Sequence, residues 1–191
     1  MNRGKPQSRA LANARIALLL FPLVTCSGVD NFRITETSQS TVSGATIVEI
    51  LLGDLGFGNW LNLDITQNET LANQGIERHQ LDTVYLHSLT LDIIDGHPDQ
   101  DFSFIEEIRF YVESSGLDSK LIAHGGPFID GLTSIGMDLE NVNLASYAGA
   151  ESMTITTDVT GRRPNRQTTL DAEIVLSVDV NVAGILCGSE I

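Results

Sequence analysis

Apolar and polar residues alternate along the end of the chain with a period of two. The even-numbered positions from Leu170 to Val182 are all apolar, and most of the odd-numbered positions between them are polar or acidic. A helix would spread these apolar side chains around its circumference, whereas a strand places all of them on one face. The pattern therefore predicts one long strand whose even-numbered side chains lie in the core.

A second alternating segment covers residues 153–160, directly before this strand. The connection Gly161–Arg166 contains glycine, proline and asparagine, which are typical of a hairpin loop. In the hairpin that this predicts, Met153 lies opposite Ile174 on the core face, while threonines and acidic residues share the outer face. We expect that outer face to be solvated, and the alternative is a polar surface that binds a sugar or a partner protein.

Shorter alternating segments predict further strands, at 32–34, 61–65, 82–95, 108–112, 121–123 and 135–139. The apolar parity changes between His87 and Ser88, which indicates a β-bulge. The segment Thr46–Leu55 has the spacing of an amphipathic helix, but its apolar run is equally compatible with a strand.

Single helical turns are predicted at Asp101–Glu107 and Asn141–Ala148. About seven strands separated by turns rich in Gly, Asn and Asp, with one or two short helices, favour an all-β fold. We therefore expect a single antiparallel β-sandwich over residues 32–191.

The first 25 residues have a different character. All four of their charges are basic, and they precede a nine-residue apolar run, Ile16–Val24. A basic region followed by a short apolar run and small residues is typical of a secretory signal peptide. The run is too short to span a bilayer as a helix, which takes about 20 residues.

The end of this leader resembles that of bacterial lipoproteins. Their lipobox reads leucine, a small or aliphatic residue, a small residue and cysteine, and Leu23-Val24-Thr25-Cys26 matches it at three positions, departing at Thr25. The resemblance implies a signal peptide at 1–25, a lipid-anchored tether at 26–31 and a diacylglyceryl group on Cys26. Ser27 after the cysteine resembles the usual signal for the outer membrane.

Charge excludes two classes of partner. Removing the four basic residues of the leader from the 11 of the whole chain leaves seven against 25 acidic residues, a net charge of −18. Such a surface repels nucleic-acid phosphates and anionic headgroups. We therefore expect neither nucleic acid nor direct membrane-surface binding by the domain, and membrane attachment only through Cys26.

The two cysteines leave an alternative open. Cys187 lies in an apolar context where a buried free thiol is expected. A Cys26–Cys187 disulfide would instead tie the two ends of a secreted binding module together and exclude the lipid.

Candidate sites are few. Asp95, Asp99 and Asp101 lie in a turn whose oxygen ligands suit Ca²⁺. Their spacing does not match an EF-hand, however, and a solvated turn is the favoured interpretation. Phe57 and Trp60 lie in a glycine-bracketed loop where they either contact a ligand or close one end of the core.

Chemistry-bearing patterns are otherwise sparse. The loop Arg162–Arg166 is the one basic cluster in the domain, suited to an acidic partner or simply exposed at a loop tip. The sequence contains no nucleophile elbow, no S-x-x-K pair and no H-E-x-x-H motif. We therefore expect no enzymatic activity and no cofactor.

The leading hypothesis is an envelope-anchored lipoprotein whose non-catalytic β-sandwich binds or scaffolds a protein or glycan. The alternatives are the disulfide-linked secreted binding module and an envelope hydrolase, because a catalytic triad is recognised by geometry that a sequence does not give.

Overall fold

Two antiparallel sheets form a β-sandwich in the computed structural model, which describes residues 31–181 except 46, 48, 95 and 96. Nine strands lie in this part of the chain. The first sheet has the order β1 (Asn31–Val42), β9 (Thr168–Val180), β3 (Leu81–Ile93) and β6 (Ser134–Gly136). The second has the order β2 (Ile50–Gly53), β8 (Thr154–Arg162), β4 (Ile105–Ser114), β5 (Leu117–Gly125) and β7 (Asp138–Leu139). The prediction of an all-β sandwich is confirmed.

The helices are single turns in the connections. The α-helices are α1 (Glu69–Ala72) and α2 (Ala145–Ala148), and the 3₁₀ helices are Gly58–Trp60, Ile65–Gln67, Arg78–Gln80 and Phe102–Phe104. None of the helices in residues that the structure describes is long and apolar enough to cross a membrane.

The strand predicted at 61–65 is wrong. Leu63 forms only an isolated bridge with Met153, and a 3₁₀ helix begins at Ile65. The side chain of Asp64 accepts a hydrogen bond from the backbone N–H of Thr66, which caps this helix and ends the extended backbone.

The alternation in β9 has the predicted consequence. Every even-numbered residue of this strand is buried, and the odd-numbered ones are half-buried or exposed. β9 lies between β1 and β3, so both of its edges are paired. The register between β3 and β9 shifts between Leu86 and Ser88, which confirms the predicted bulge.

The predicted β8–β9 hairpin is wrong. Met153 does not lie opposite Ile174, because β8 belongs to the second sheet and β9 to the first. Residues 163–167 therefore cross from one sheet to the other, a distance of about 10 Å. The polar outer face that the hairpin would have formed is instead divided between opposite sides of the sandwich.

The segment 46–55 contains a strand and not a helix where the structure describes it. β2 pairs with β8 at the edge of the second sheet, with Leu51 buried and Ile50 and Leu52 exposed. A buried residue between two exposed ones has the two-residue period of a strand. Its apolar residues thus point in both directions.

The strands give the sandwich two distinct ends. Asn31 pairs with Asp179 at one end of the first sheet, which we call the proximal end. Val42 pairs with Thr168 at the other, the distal end. The described residues of the connections 43–49, 94–104 and 163–167 lie at the distal end. Backbone hydrogen bonds join them there, such as the one from the Arg163 N–H to the Glu49 carbonyl, 2.7 Å. A 12-residue strand such as β1 is about 40 Å long.

Candidate functional site

The three aspartates of the predicted calcium turn do not form a described metal site. Asp95 lies outside the described residues, as do Cys26 and Cys187. Among the residues that the structure describes, no group of three or more His, Cys, Asp or Glu side chains is arranged to hold a metal ion. Asp99 and Asp101 are engaged by other groups of the protein.

Asp101 holds two connections together at the distal end. Its Oδ1 accepts a hydrogen bond from the N–H of Ser103, 3.0 Å, and its Oδ2 one from the N–H of Gly131, 2.7 Å. Partial burial on its own would raise the pKa of Asp101, but these hydrogen bonds outweigh it and lower the pKa. The carboxylate is thus a structural acceptor that caps the 3₁₀ helix Phe102–Phe104.

Asp99 is exposed and lies between the side chains of His97 and Arg166. His97 Nδ1 is 2.5 Å from Asp99 Oδ1, and Arg166 Nε is 3.9 Å from Asp99 Oδ2. The hydrogen bond from His97 is the main reason why the pKa of Asp99 is lowered. Asp99 therefore neutralises part of the positive charge of the neighbouring loop.

Phe57 and Trp60 belong to the core. Their exposed fractions are 3% and 0%, and their ring centroids lie 5.1 Å apart. Trp60 also contacts Phe110 of β4 edge to face, with centroids 6.3 Å apart. Neither ring is presented to a ligand, so the alternative in which they fill the core is the one observed.

A polar cleft of about 120 Å³ lies at the distal end between residues 99–104 and 162–168. The crossing connection between the two sheets forms one wall, and the turn that follows β3 forms the other. The side chains that give it its chemistry are Gln100, Arg162, Arg163 and Arg166. The basic cluster noticed in the sequence therefore lines a concave surface.

Two of the three arginines have acidic partners. Arg163 Nε lies 3.4 Å from Glu49 Oε2, and Arg166 is the partner of Asp99. Within the described residues, Arg162 has no carboxylate within 4.0 Å of its guanidinium. Arg162 is exposed at the last position of β8. Its charge nevertheless helps to lower the pKa of Asp101, which lines the same cleft, so the charge of Arg162 is partly compensated.

Gln100 is the buried polar residue of the cleft, with an exposed fraction of 8%. Its amide nitrogen donates to the carbonyl of Gln167, 2.8 Å, and to Thr168 Oγ1, 3.0 Å. These two acceptors fix which end of the amide is nitrogen. The other end, Oε1, is buried and has no hydrogen-bond partner within the part of the chain that the structure describes.

The sequence did not point to Gln100. A single glutamine in a turn carries no periodic pattern, and its burial depends on residues 167–168, which are distant in the chain. The one feature of the sequence that pointed to the cleft was the isolated basic loop, because arginines in a strongly acidic chain are expected to pair with carboxylates.

An ion pair outside the cleft joins the 3₁₀ helices on either side of α1. Arg78 Nη2 lies 2.5 Å from Asp64 Oδ2, and Thr66 donates two hydrogen bonds to Asp64 Oδ1. Burial alone would raise the pKa of Asp64, but the hydrogen bonds from Arg78 and Thr66 hold it at about 2. This ion pair therefore holds the two ends of the segment 64–80 together.

Comparisons with known proteins give no relative by sequence and two distant structural likenesses. No protein-family model matches the sequence, and no curated protein matches it. Two crystal structures of the BFDV capsid protein, a 60-mer and a decameric form, are similar at 11% sequence identity with TM-scores of 0.42 and 0.44. Each covers 79% of this chain, which corresponds to 92% and 98% of the capsid chains. Neither likeness carries an argument about what this chain does.

Proposed function

We propose that the chain is an outer-membrane lipoprotein in which an acyl anchor on Cys26 holds a non-catalytic β-sandwich that binds a component of the cell envelope. The observation that carries this proposal is the leader, in which a basic region, a nine-residue apolar run and Leu23-Val24-Thr25-Cys26 follow one another. A diacylated cysteine supplies two acyl chains, enough for stable anchoring, whereas a single chain gives only marginal binding.

The position of β1 is compatible with such an anchor. β1 begins at Asn31, five residues after Cys26. Five extended residues reach at most about 17 Å, so an anchor on Cys26 would keep the proximal end near the bilayer. The distal end would then face away from the membrane, about 40 Å further along β1.

The charge of the domain supports the same orientation. At a net charge of −18 beyond the leader, the sandwich is repelled by anionic headgroups and gains nothing from lying on them. The body would therefore stand off from the surface on its tether. Its distal cleft would be available to molecules of the envelope.

Metabolic labelling with radioactive palmitate tests the anchor. We expect the wild type to carry label and to fractionate with membranes, and Cys26→Ser to lose both the label and membrane association or to remain unprocessed. Cys187→Ser is the matched control, because it removes the other thiol and should leave labelling unchanged. Label that persists in Cys26→Ser would refute the anchor.

The same two variants distinguish the lipoprotein from the disulfide-linked secreted module. That alternative requires an unlabelled wild type in which both cysteines resist alkylation before reduction. Either single substitution would then expose the remaining thiol to alkylation. In the lipoprotein, Cys187 is present as a free thiol, and its state does not depend on Cys26.

A further inference from the structure

We propose that two copies of this chain pair through β2, edge to edge, so that their second sheets join into one continuous sheet. The inference goes beyond the proposed function, because it rests on the sandwich alone and not on the leader. β2 is an edge strand, and no other strand in the part of the chain that the structure describes lies on its open side. An open edge can bind a further strand through its backbone groups.

The open edge of β2 is apolar. Ile50 and Leu52 share the outer face of the strand and are 72% and 68% exposed, and Ile47, just before the strand, is 70% exposed. Natural edge strands usually carry charged residues or proline that prevent pairing with another chain, whereas β2 reads Ile-Leu-Leu-Gly. Single exposed aliphatic residues are common on protein surfaces, but neighbouring ones on an open edge indicate an interaction site. β2 therefore has the composition of a strand that a partner covers.

The backbone groups of the two exposed strand residues point to the open side. The N–H of Arg163 donates to the carbonyl of Glu49, 2.7 Å, which determines where the bonding positions fall between β2 and β8. In an antiparallel pair these positions alternate along the strand, so Leu51 binds β8, while the N–H and C=O groups of Ile50 and Leu52 face away from it. A partner strand must therefore supply donors and acceptors for Ile50 and Leu52.

A second copy of β2 meets both requirements, the apolar and the polar one. Residues that lie opposite each other in an antiparallel pair place their side chains on the same face, so an exposed residue must oppose an exposed one. Ile50 opposite Leu52 of the second copy satisfies this condition, and two-fold symmetry then places Leu52 opposite Ile50 of the second copy. In this register the backbone groups of both residues bind each other across the axis. Their side chains form one apolar cluster.

The charge around β2 allows two acidic copies to approach each other there. The domain has a net charge of −18 beyond the leader, so most of its surface repels another copy. Three of its seven basic residues lie in 162–166, and Arg162 is the residue of β8 opposite Ile50. Glu49, next to β2, is paired with Arg163. Electrostatic repulsion between two copies is therefore low at this edge.

The pairing determines how the two copies are oriented. Antiparallel strands run in opposite directions, and β2 pairs with the distal part of β8, so the distal ends overlap and the proximal ends point away from each other. Each β1 is about 40 Å long, which exceeds the reach of about 17 Å of the tether in the proposed lipoprotein. Two anchored copies would therefore lie in facing membranes and not in the same bilayer. This orientation relative to membranes is the one part of the inference that rests on the proposed function.

Sedimentation velocity of the full-length protein, in mild detergent and under reducing conditions, tests the dimer. The paired edge is short, and interfaces below about 1,200 Å² are typical of transient complexes, so we expect a reversible dimer with a dissociation constant in the micromolar range. Leu52→Lys should weaken dimerisation at least tenfold, because the substitution occurs on both sides of the axis. Ile129→Lys is the matched control, since Ile129 is 72% exposed in the connection between β5 and β6 and the change of charge is the same. It should change the dissociation constant less than twofold. A wild type that stays monomeric at high micromolar concentration, or equal effects of the two substitutions, would overturn the proposal.

Hydrogen exchange followed by mass spectrometry assigns the contact to β2. The backbone N–H groups of Ile50 and Leu52 should exchange more slowly when the wild type is concentrated above its dissociation constant, and Leu52→Lys should not show this change. The measurement on the wild type decides the test even where the substitution lowers the melting temperature. A dimer whose residues 50–53 exchange at the rate of the monomer would contradict the pairing.

Palmitate labelling of the same preparations separates this inference from the anchor. A labelled protein that stays monomeric refutes only the dimer, whereas an unlabelled protein that dimerises through β2 refutes only the anchor. Phosphatidylcholine vesicles that carry the labelled wild type should aggregate, as measured by light scattering, and vesicles that carry Leu52→Lys should not. Dimerisation without aggregation of the vesicles would contradict the facing orientation.

Discussion

Replacing Thr157 by valine tests the hydrogen bonds that join the two sheets along one edge. Thr157 is buried in β8, and its Oγ1 accepts from the N–H of Leu55, 2.7 Å, while it donates to Asp54 Oδ1, 2.6 Å. The carbonyl of Leu55 in turn accepts from the hydroxyl of Ser40 in β1. Residues 54–55 therefore connect a strand of each sheet through polar groups.

The expected loss of stability depends on which polar groups lose a hydrogen-bond partner. Valine has the shape of threonine, so the substitution leaves no cavity, but the buried N–H of Leu55 loses the hydroxyl oxygen that accepts its hydrogen bond. Asp54 keeps the N–H groups of Thr157 and Gly56 and stays satisfied. One orphaned buried donor corresponds to about 1–3 kcal/mol, and this is the expected decrease in the free energy of unfolding.

Urea unfolding followed by Trp60 fluorescence measures this decrease. Thr156→Val is the matched control, because the adjacent threonine points to the other face and has only a 3.4 Å contact with Glu113 Oε1. It should change the free energy of unfolding by less than about 0.5 kcal/mol. Equal effects of the two substitutions would show that the hydroxyl of Thr157 does not support residues 54–55.

Three further predictions address the core, the close approach of two strands and the ion pair. Leu176→Ala should lower the free energy of unfolding, measured with urea, by about 2–5 kcal/mol, whereas Ser177→Ala should change it by less than about 0.5 kcal/mol. Similar losses at both positions would contradict the alternation of β9. Gly161→Ala should be destabilising by about 1–3 kcal/mol, because a Cβ at this position would lie 2.2 Å from the carbonyl oxygen of Phe104. Gly136→Ala is the control, since a Cβ there would meet nothing within 4 Å. The folded pKa of Asp64, about 2, lies below that of an unfolded aspartate, so its contribution is present above pH 4 and lost as the pH falls towards 2. Asp64→Asn should therefore be less stable than the wild type by about 1–2 kcal/mol at pH 7, and this difference should shrink towards pH 2. Thermal unfolding of both proteins across this pH range measures the difference. A difference that does not change with pH would contradict the ion pair.

The faces of the strands were predictable from the sequence, but their partners were not. Alternation in β9 identified its buried side chains, and a change of parity located the bulge before Ser88. The same alternation is required whether β8 pairs with β9 or faces it across the core, because both arrangements bury every second residue. The hairpin prediction failed for this reason.

The cleft was only partly predictable. Three arginines in one loop of an acidic chain marked the wall that β8 and β9 provide. Gln100 and its unpaired oxygen depend on how residues 99–104 fold against that loop, which is a tertiary property without a local pattern. For Phe57 and Trp60 the sequence favoured a core position over a ligand contact, because large aromatic side chains are mostly buried, and both side chains are buried.

The pairing of β1 with β9 fixes the order in which the chain can assemble. These are the first and last described strands, and among the described strands only β9 lies next to β1 in the sheet. Every pair of residues that joins them is separated by well over a hundred residues in the chain. Contacts so far apart in the chain make folding slow, because a long loop must close before they form. β1 consequently stays unpaired in this sheet until β9 has been synthesised. In the lipoprotein that we propose, late closure would leave time for the chain to cross the membrane before the sandwich is complete.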